Sequence, residues 1–312
     1  MLLIPSELKS IFPYQIHSHQ LPSKMRLAYV DEGQGEVILA LHGNPTWSFY
    51  YRHIIAQLKS QYRIIALDNL GMGLSDRPDT YQDLTIEKHI THVFDLLQHL
   101  GIKKCTLLGH DWGGAIATGI ATLAPQHHLE ISKIILMNTA AFFDRHIPWQ
   151  IALCRLPIIG NFLVRSLNLF AWPATSMAVM RPLDRLIKKG LLFPYRNYRS
   201  RIGVHAFVRD IPMESHHPTR QVLDAIERAI PTISAPFLFI WGGADFCFTR
   251  HFLDRWLKML PAAESLYLKN AGHYVLEDAP ETVTTAIQTF LTKSEYTTTD
   301  HTHEFRSISP IQ

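Results

Sequence analysis

Apolar and polar positions along the chain follow two rhythms. Short runs rich in branched aliphatic residues recur at 25–31, 37–42, 62–68, 104–110, 133–138, 236–241 and 264–269. Segments with apolar residues at helical spacing lie at 47–60, 85–100, 112–124, 249–260 and 279–292. Strand-like runs alternating with helix-like segments predict an α/β architecture, a parallel sheet with helices on both faces. Val37-Ile-Leu-Ala-Leu-His42 and Phe237-Leu-Phe-Ile-Trp241 are continuously apolar rather than alternating. That is the signature of strands buried on both faces.

The rhythm stops near residue 142 and resumes after Pro231 and Pro236. In between, helical spacing is read at 148–156, 160–170, 182–190, 198–208 and 218–229. A stretch this long is too long for a loop and predicts a helical cap over the strand ends. The expected division is a core of 1–141 and 231–292, a cap of 142–230, and a disordered tail of 293–312 rich in Thr, Ser and His. No internal repeats are visible.

Composition narrows the function classes. Of 312 residues, 47% are hydrophobic and 18% charged, and the formal charge is +3, so a globular domain is expected and nucleic acid is not an expected partner. Pairs such as His127/His128 and His216/His217 read as solvated surface, with no metal-ligand spacing. Cys105, Cys154 and Cys247 form an odd set with no C-x-x-C spacing, which fits a reducing, cytoplasmic compartment. No signal peptide is read in Met-Leu-Leu-Ile-Pro5, and no run approaches the ~20 apolar residues of a membrane span.

Four segments carry candidate chemistry. Gly109-His-Asp111-Trp-Gly113-Gly114 follows a strand and opens a helix of small residues, the context of the G-x-S-x-G nucleophile elbow with Asp in the Ser position. A carboxylate there can attack carbon directly and form a covalent ester. Leu41-His-Gly-Asn44-Pro-Thr-Trp47 ends another strand and supplies oxyanion-type backbone N–H groups together with that of Trp112. The Asn44 amide and the Trp112 indole add two neutral side-chain donors, suited to a leaving group that departs as an anion. Asn270-Ala-Gly-His273, after the last strand, offers a general base in the expected chain order. The acid that orients its imidazole should stand at the tip of the strand near 136 or the strand near 240. Leu136-Met-Asn138-Thr has no acid, whereas Ile240-Trp-Gly-Gly-Ala-Asp245-Phe does, so Asp245 is chosen, with Asp144 the weak alternative. Asp68-Asn-Leu-Gly-Met-Gly-Leu-Ser-Asp-Arg-Pro78 lacks the third glycine of a dinucleotide loop and reads as a structural loop bordering the pocket.

Together these motifs resemble the haloalkane dehalogenase and epoxide hydrolase branch of the α/β-hydrolases, over nearly all of 20–292. The resemblance implies an eight-stranded, mostly parallel sheet with the cap inserted after the sixth strand. Epoxide hydrolases usually carry an aromatic residue where Asn44 stands and use two cap tyrosines, for which Tyr195 and Tyr198 are the candidates. Fluoroacetate dehalogenases place Arg where Trp112 stands. Asn44 and Trp112 with an acid after the seventh strand look like the third haloalkane dehalogenase subfamily. Within it, Cys154-Arg-Leu-Pro-Ile-Ile-Gly160, Met177-Ala-Val-Met-Arg-Pro-Leu183, Phe207-Val-Arg-Asp-Ile-Pro212, Trp241-x-x-x-Asp245-Phe-Cys-Phe248 and Gly272-His-Tyr-Val-Leu-Glu-Asp-Ala279 are similar to the β-lactone decarboxylases of bacterial long-chain olefin biosynthesis. That resemblance implies a cis-3,4-dialkyl β-lactone substrate, cis-alkene and carbon dioxide as products, and no cofactor. It further implies assembly with other olefin-pathway enzymes. The rival expectation is haloalkane hydrolysis through the same residues; a third is binding without turnover. Residues 181–209 hold eight Lys or Arg against one acid, Asp184, and read as a docking surface for an acidic partner enzyme or an anionic membrane.

Overall fold

The computed structural model describes residues 3–293. Eight strands form one sheet: β1 (Ile16–Gln20), β2 (Arg26–Glu32), β3 (Val37–Leu41), β4 (Arg63–Asp68), β5 (Lys104–His110), β6 (Glu130–Met137), β7 (Phe237–Gly242) and β8 (Glu264–Leu268). Their spatial order is β1-β2-β4-β3-β5-β6-β7-β8. β1 and β2 are antiparallel to their neighbours, and every pairing from β4 to β8 is parallel. The continuously apolar runs behave as expected: every residue of β7 is buried, and Leu39, Ala40 and Leu41 of β3 are fully buried.

β1 was not visible in the apolar pattern. Its sequence, Ile-His-Ser-His-Gln, is polar because it is an edge strand with little face to bury. His19 on this strand reaches Asp95 at 2.6 Å, an attachment made by side chain rather than by apolar area. The helix expected at 47–60 is instead a 3₁₀ turn, Ser48–Tyr51, followed by a short α-helix, Arg52–Leu58. The Asp68 carboxylate accepts from Ser48 N at 2.7 Å and sets where this segment begins.

Helices fill the chain between β6 and β7: Trp149–Arg155, Pro157–Gly160, Ala171–Met177, Arg185–Leu192, Ile202–Arg209 and Pro218–Ala229, with a π-helical turn at Asn161–Ser166. Ala171–Met177 is a helix where none was expected. Pro173 stands in its first turn, where a missing N–H costs nothing. These helices and the turns between them are tied to the sheet side at several points: Trp47 Nε1 donates to Gly190 O at 3.0 Å, Tyr274 N to Ala178 O at 2.8 Å, Ile86 N to Asp210 at 2.8 Å, and Met180 N to Asp278 at 2.9 Å. The expected disordered tail lies, apart from Lys293, outside the described residues.

Candidate active site

β3, β5, β6 and β7 run parallel, so their carboxyl ends meet on one edge of the sheet, where ligands of such folds bind. Asp111 is the first residue beyond β5. Its backbone sits at φ 54° and ψ −127°, a region an L-residue occupies only when its surroundings force it. Gly114 N holds the Asp111 carbonyl at 2.9 Å, and the Thr139 hydroxyl donates to the same oxygen. The glycines are required by close approach. A Cβ on Gly113 would lie 1.8 Å from Leu41 O, and one on Gly43 would lie 2.2 Å from Asp111 Oδ1.

The carboxylate is held by the main chain. Asn44 N donates to Asp111 Oδ1 at 2.6 Å, and the Trp112 backbone N–H adds to the field that favours the ionised carboxylate. Asp111 Oδ2 is left 3.9 Å from His273 Nε2. Burial pushes the Asp111 carboxyl up to about 6, although His273 and the two N–H donors pull it back toward the ionised form. Asp111 is therefore a poorly solvated anion with one oxygen fixed and the other free to react.

His273 Nδ1 binds Asp245 Oδ2 at 2.8 Å. Burial draws the imidazole pKa down, but Asp245 and Asp111 outweigh it, and the net direction is up. Three residues to which the motifs assign no role hold this pair. Asn138 stands at the β6 tip, the alternative position for an acid, and its Nδ2 donates to Asp245 Oδ2 at 2.8 Å. Its Oδ1 accepts from Gly242 N at 2.8 Å, tying the tips of β6 and β7 together. Cys247 N donates to Asp245 Oδ1 at 2.7 Å, so that carboxylate accepts from three donors. His110 Nε2 donates to the His273 carbonyl at 2.9 Å, fixing the His273 loop from the residue beside Asp111. The absence of an acid at the β6 tip was the only signal in the sequence for Asn138.

Asn44 and Trp112 both line the pocket above Asp111. One N–H of the Asn44 amide is taken by the Val204 carbonyl at 3.0 Å, so one remains for a ligand. Among the described residues the Trp112 indole N–H has no partner, although its ring packs 5.4 Å from that of Phe207. The pocket has a volume of about 200 Å³ and is roofed mainly by apolar side chains, among them Phe143, Ile151, Phe170 and Val208.

Other expected participants stand elsewhere. Asp144 is bonded to His146 at 2.6 Å, His251 at 2.8 Å and Arg255 at 3.2 Å, too committed at the pocket rim to orient His273. Among the described residues, Asp144, His146 and His251 are the one group close enough to hold a metal ion, and Arg255 already neutralises the carboxylate. The 68–78 loop does not reach the pocket. Asp68 points inward instead, accepting from Ser48 N and Leu74 N, because the chain beneath needs a buried acceptor. Tyr195 is buried with its hydroxyl donated to Thr46 O at 2.8 Å, while Tyr198 is 47% exposed against Arg165. Neither lines the pocket, so the paired cap tyrosines of an epoxide hydrolase are not formed.

A family model described as "Alpha/beta hydrolase family" matches residues 38–286. The chain is 37% identical over 281 residues to a cis-3-alkyl-4-alkyloxetan-2-one decarboxylase of Xanthomonas campestris, covering 86% of this chain and 93% of the relative. It is 36% identical over 296 residues to the protein of the same name in Shewanella oneidensis, covering 91% and 92%. A haloalkane dehalogenase of Mycobacterium tuberculosis is 30% identical, covering 85% and 91%. Among solved structures, a haloalkane dehalogenase from Bradyrhizobium elkani superposes with a TM-score of 0.79 at 23% identity, covering 89% of this chain and 97% of that one. With an elbow aspartate, a strand-end acid and a loop histidine in one buried cluster, and these relatives along most of its length, the chain belongs to the alpha/beta hydrolase family, in the branch that holds these decarboxylases and dehalogenases.

Proposed function

We propose that this protein is a cis-3-alkyl-4-alkyloxetan-2-one decarboxylase, which opens a β-lactone and releases cis-alkene and carbon dioxide. The observation that carries it is the 36–37% identity, over most of the chain, to two relatives bearing that name, against 30% to a dehalogenase. The chemistry belongs to the core, 1–141 and 231–292, and the binding of the alkyl chains to the cap, 142–230. Each methylene buried under that apolar roof contributes about 0.8 kcal/mol, so chain length sets affinity.

The free oxygen of Asp111 attacks the ring carbon that carries the ring oxygen. That carbon–oxygen bond breaks, and the released carboxylate is met by the Asn44 amide and the Trp112 indole. The new carboxylate then leaves as carbon dioxide. Its bonding electrons form the alkene, and the Asp111–carbon bond breaks to regenerate the carboxylate. Inversion on attack followed by anti elimination keeps a cis ring cis in the alkene. No water is consumed. His273, oriented by Asp245, keeps a positive charge beside Asp111 and holds it ionised.

Products and oxygen labelling test this. A synthetic cis-dialkyl β-lactone should give cis-alkene on gas chromatography with mass detection, and after many turnovers in heavy-oxygen water the Asp111 peptide should carry no label. The second reading, haloalkane hydrolysis, is favoured by the Asn44 and Trp112 side chains at the pocket. It requires water to attack the Asp111 ester and so to label Asp111. Rapid halide release with label at Asp111, and no alkene from the lactone, would replace the decarboxylase reading.

A further inference from the structure

Residues 145–209 hold eleven of the thirty Lys and Arg but only one of the twenty-seven acids, giving +10 in about a fifth of the chain and −7 in the rest. Between Arg145 and Leu183 there is no Asp or Glu. Over the same stretch large apolar side chains face solvent: Trp149 is 72% exposed, Ile158 86%, Phe162 56%, Trp172 64% and Met180 54%. Singly exposed apolar residues are ordinary, but a cluster this dense marks an interaction face.

The cluster is organised around the pocket. Helix Trp149–Arg155, helix Pro157–Gly160 and the π-turn pack together over helix Ile202–Arg209, and helix Ala171–Met177 packs on Arg185–Leu192. Leu169, Met177 and Phe246 are both exposed and part of the pocket wall, so the apolar face runs into the mouth. Arg145, Arg181 and Arg185 lie along the same stretch, exposed, and among the described residues their guanidinium groups have no acidic partner, the Arg181 backbone N–H alone reaching Asp278.

We propose that this cap face docks on an anionic lipid surface and that substrate enters the pocket directly from the bilayer. Exposed Trp and aliphatic side chains with an Arg rim are the chemistry of a segment lying in a membrane interface. No helix among the described residues is long and apolar enough to cross a membrane, so the face lies on the lipid. A second copy of the chain fits poorly, since a two-fold contact would set the cationic rim against itself. An acidic protein would satisfy the charges but gives no reason for an apolar pocket to open within the contact. The lipid-phase substrate rests on the proposed decarboxylation; the docking itself does not.

The test uses the full chain and no substrate. It should sediment with phosphatidylcholine vesicles that contain phosphatidylglycerol, and much less with phosphatidylcholine alone or in high salt. Brominated lipid should quench the wild type, and the quenching should fall in Trp149→Phe and Trp172→Phe, because Trp47, Trp241 and Trp256 are fully buried and Trp112 lines the pocket. Arg181→Gln and Arg185→Gln should each weaken partitioning about fivefold. Ile158→Ser or Phe162→Ser should weaken it about tenfold. All four side chains lie outside the pocket, so turnover of a detergent-dispersed lactone should be unchanged. Protein that stays in the supernatant with anionic vesicles, or partitioning indifferent to Ile158→Ser and Phe162→Ser together, overturns the proposal. Salt-sensitive capture by an acidic protein without vesicle binding overturns it in favour of a protein partner. Vesicle binding without alkene formation leaves the docking standing and removes only the decarboxylase reading.

Discussion

Around Asp111 the core is closed: Asp111, Asp245 and His273 are 8%, 4% and 6% exposed, and main-chain donors from the loops after β3 and β7 fix the two carboxylates. The helices above them present the opposite picture, with Ile158 and Trp149 turned to solvent in a stretch that also exposes Arg145, Arg181 and Arg185. In the core, exposure would waste the field that a low-dielectric site gives to a few fixed charges. In the cap, exposure of apolar surface is tolerable only if something covers it or uses it. The lesson is that one pocket can have a floor specified by hydrogen bonds and a roof specified by surface chemistry, each open to separate perturbation.

Removing Asp111, the proposed nucleophile, should have the largest effect. Asp111→Asn should lower turnover by at least about 10⁴-fold, as an amide cannot form the ester. The same change should stabilise the fold. Burial raises the Asp111 carboxyl from 3.8 to about 6, so the ionised group is penalised at every pH above that window. Two pKa units correspond to about 3 kcal/mol at neutral pH, an upper limit to the gain expected in thermal or urea unfolding. An inactive variant that is also less stable would mean that the carboxylate serves the fold.

Asp245, the proposed orienting acid, comes next. Asp245→Asn should cost about 10³- to 10⁴-fold in turnover, while Asp144→Asn should change it little. Asn138→Ala leaves the Asp245 carboxylate short of one donor and should cost roughly 10- to 100-fold, the worth of a hydrogen bond to a charged group. If Asp144→Asn were the damaging change, the rim cluster with His251 and Arg255 would belong to the site.

The smallest effect is a pH limb. As the proposed nucleophile Asp111 reacts only when ionised, so activity should fall as pH drops through about 6 and be complete above it. A limb near the free-carboxylate value of about 4 would show that the floor is more solvated than its burial implies.

The sequence by itself determined the parts that are local in the chain. Strands such as β3 and β7 announce themselves through unbroken apolar runs. The elbow at Asp111 is readable because its small neighbours and the following helix are contiguous with it. His273 and Asp245 are readable because the order of strand tips constrains where they can stand. Tertiary structure alone decided the rest. Asn138 binds Asp245 across 107 residues, and Asn44 binds Val204 across 160, pairings that no pattern within one segment encodes. Tyr195 and Tyr198 lie close in sequence yet one is buried under Thr46 and the other faces solvent, because their helical surroundings differ. β1 was missed for the same reason: an edge strand is held by its neighbour's backbone, not by a hydrophobic pattern of its own. Apolar spacing in the cap is read as burial, whether a core or only solvent stands opposite. Which of the two it is depends on what the rest of the chain brings to face it.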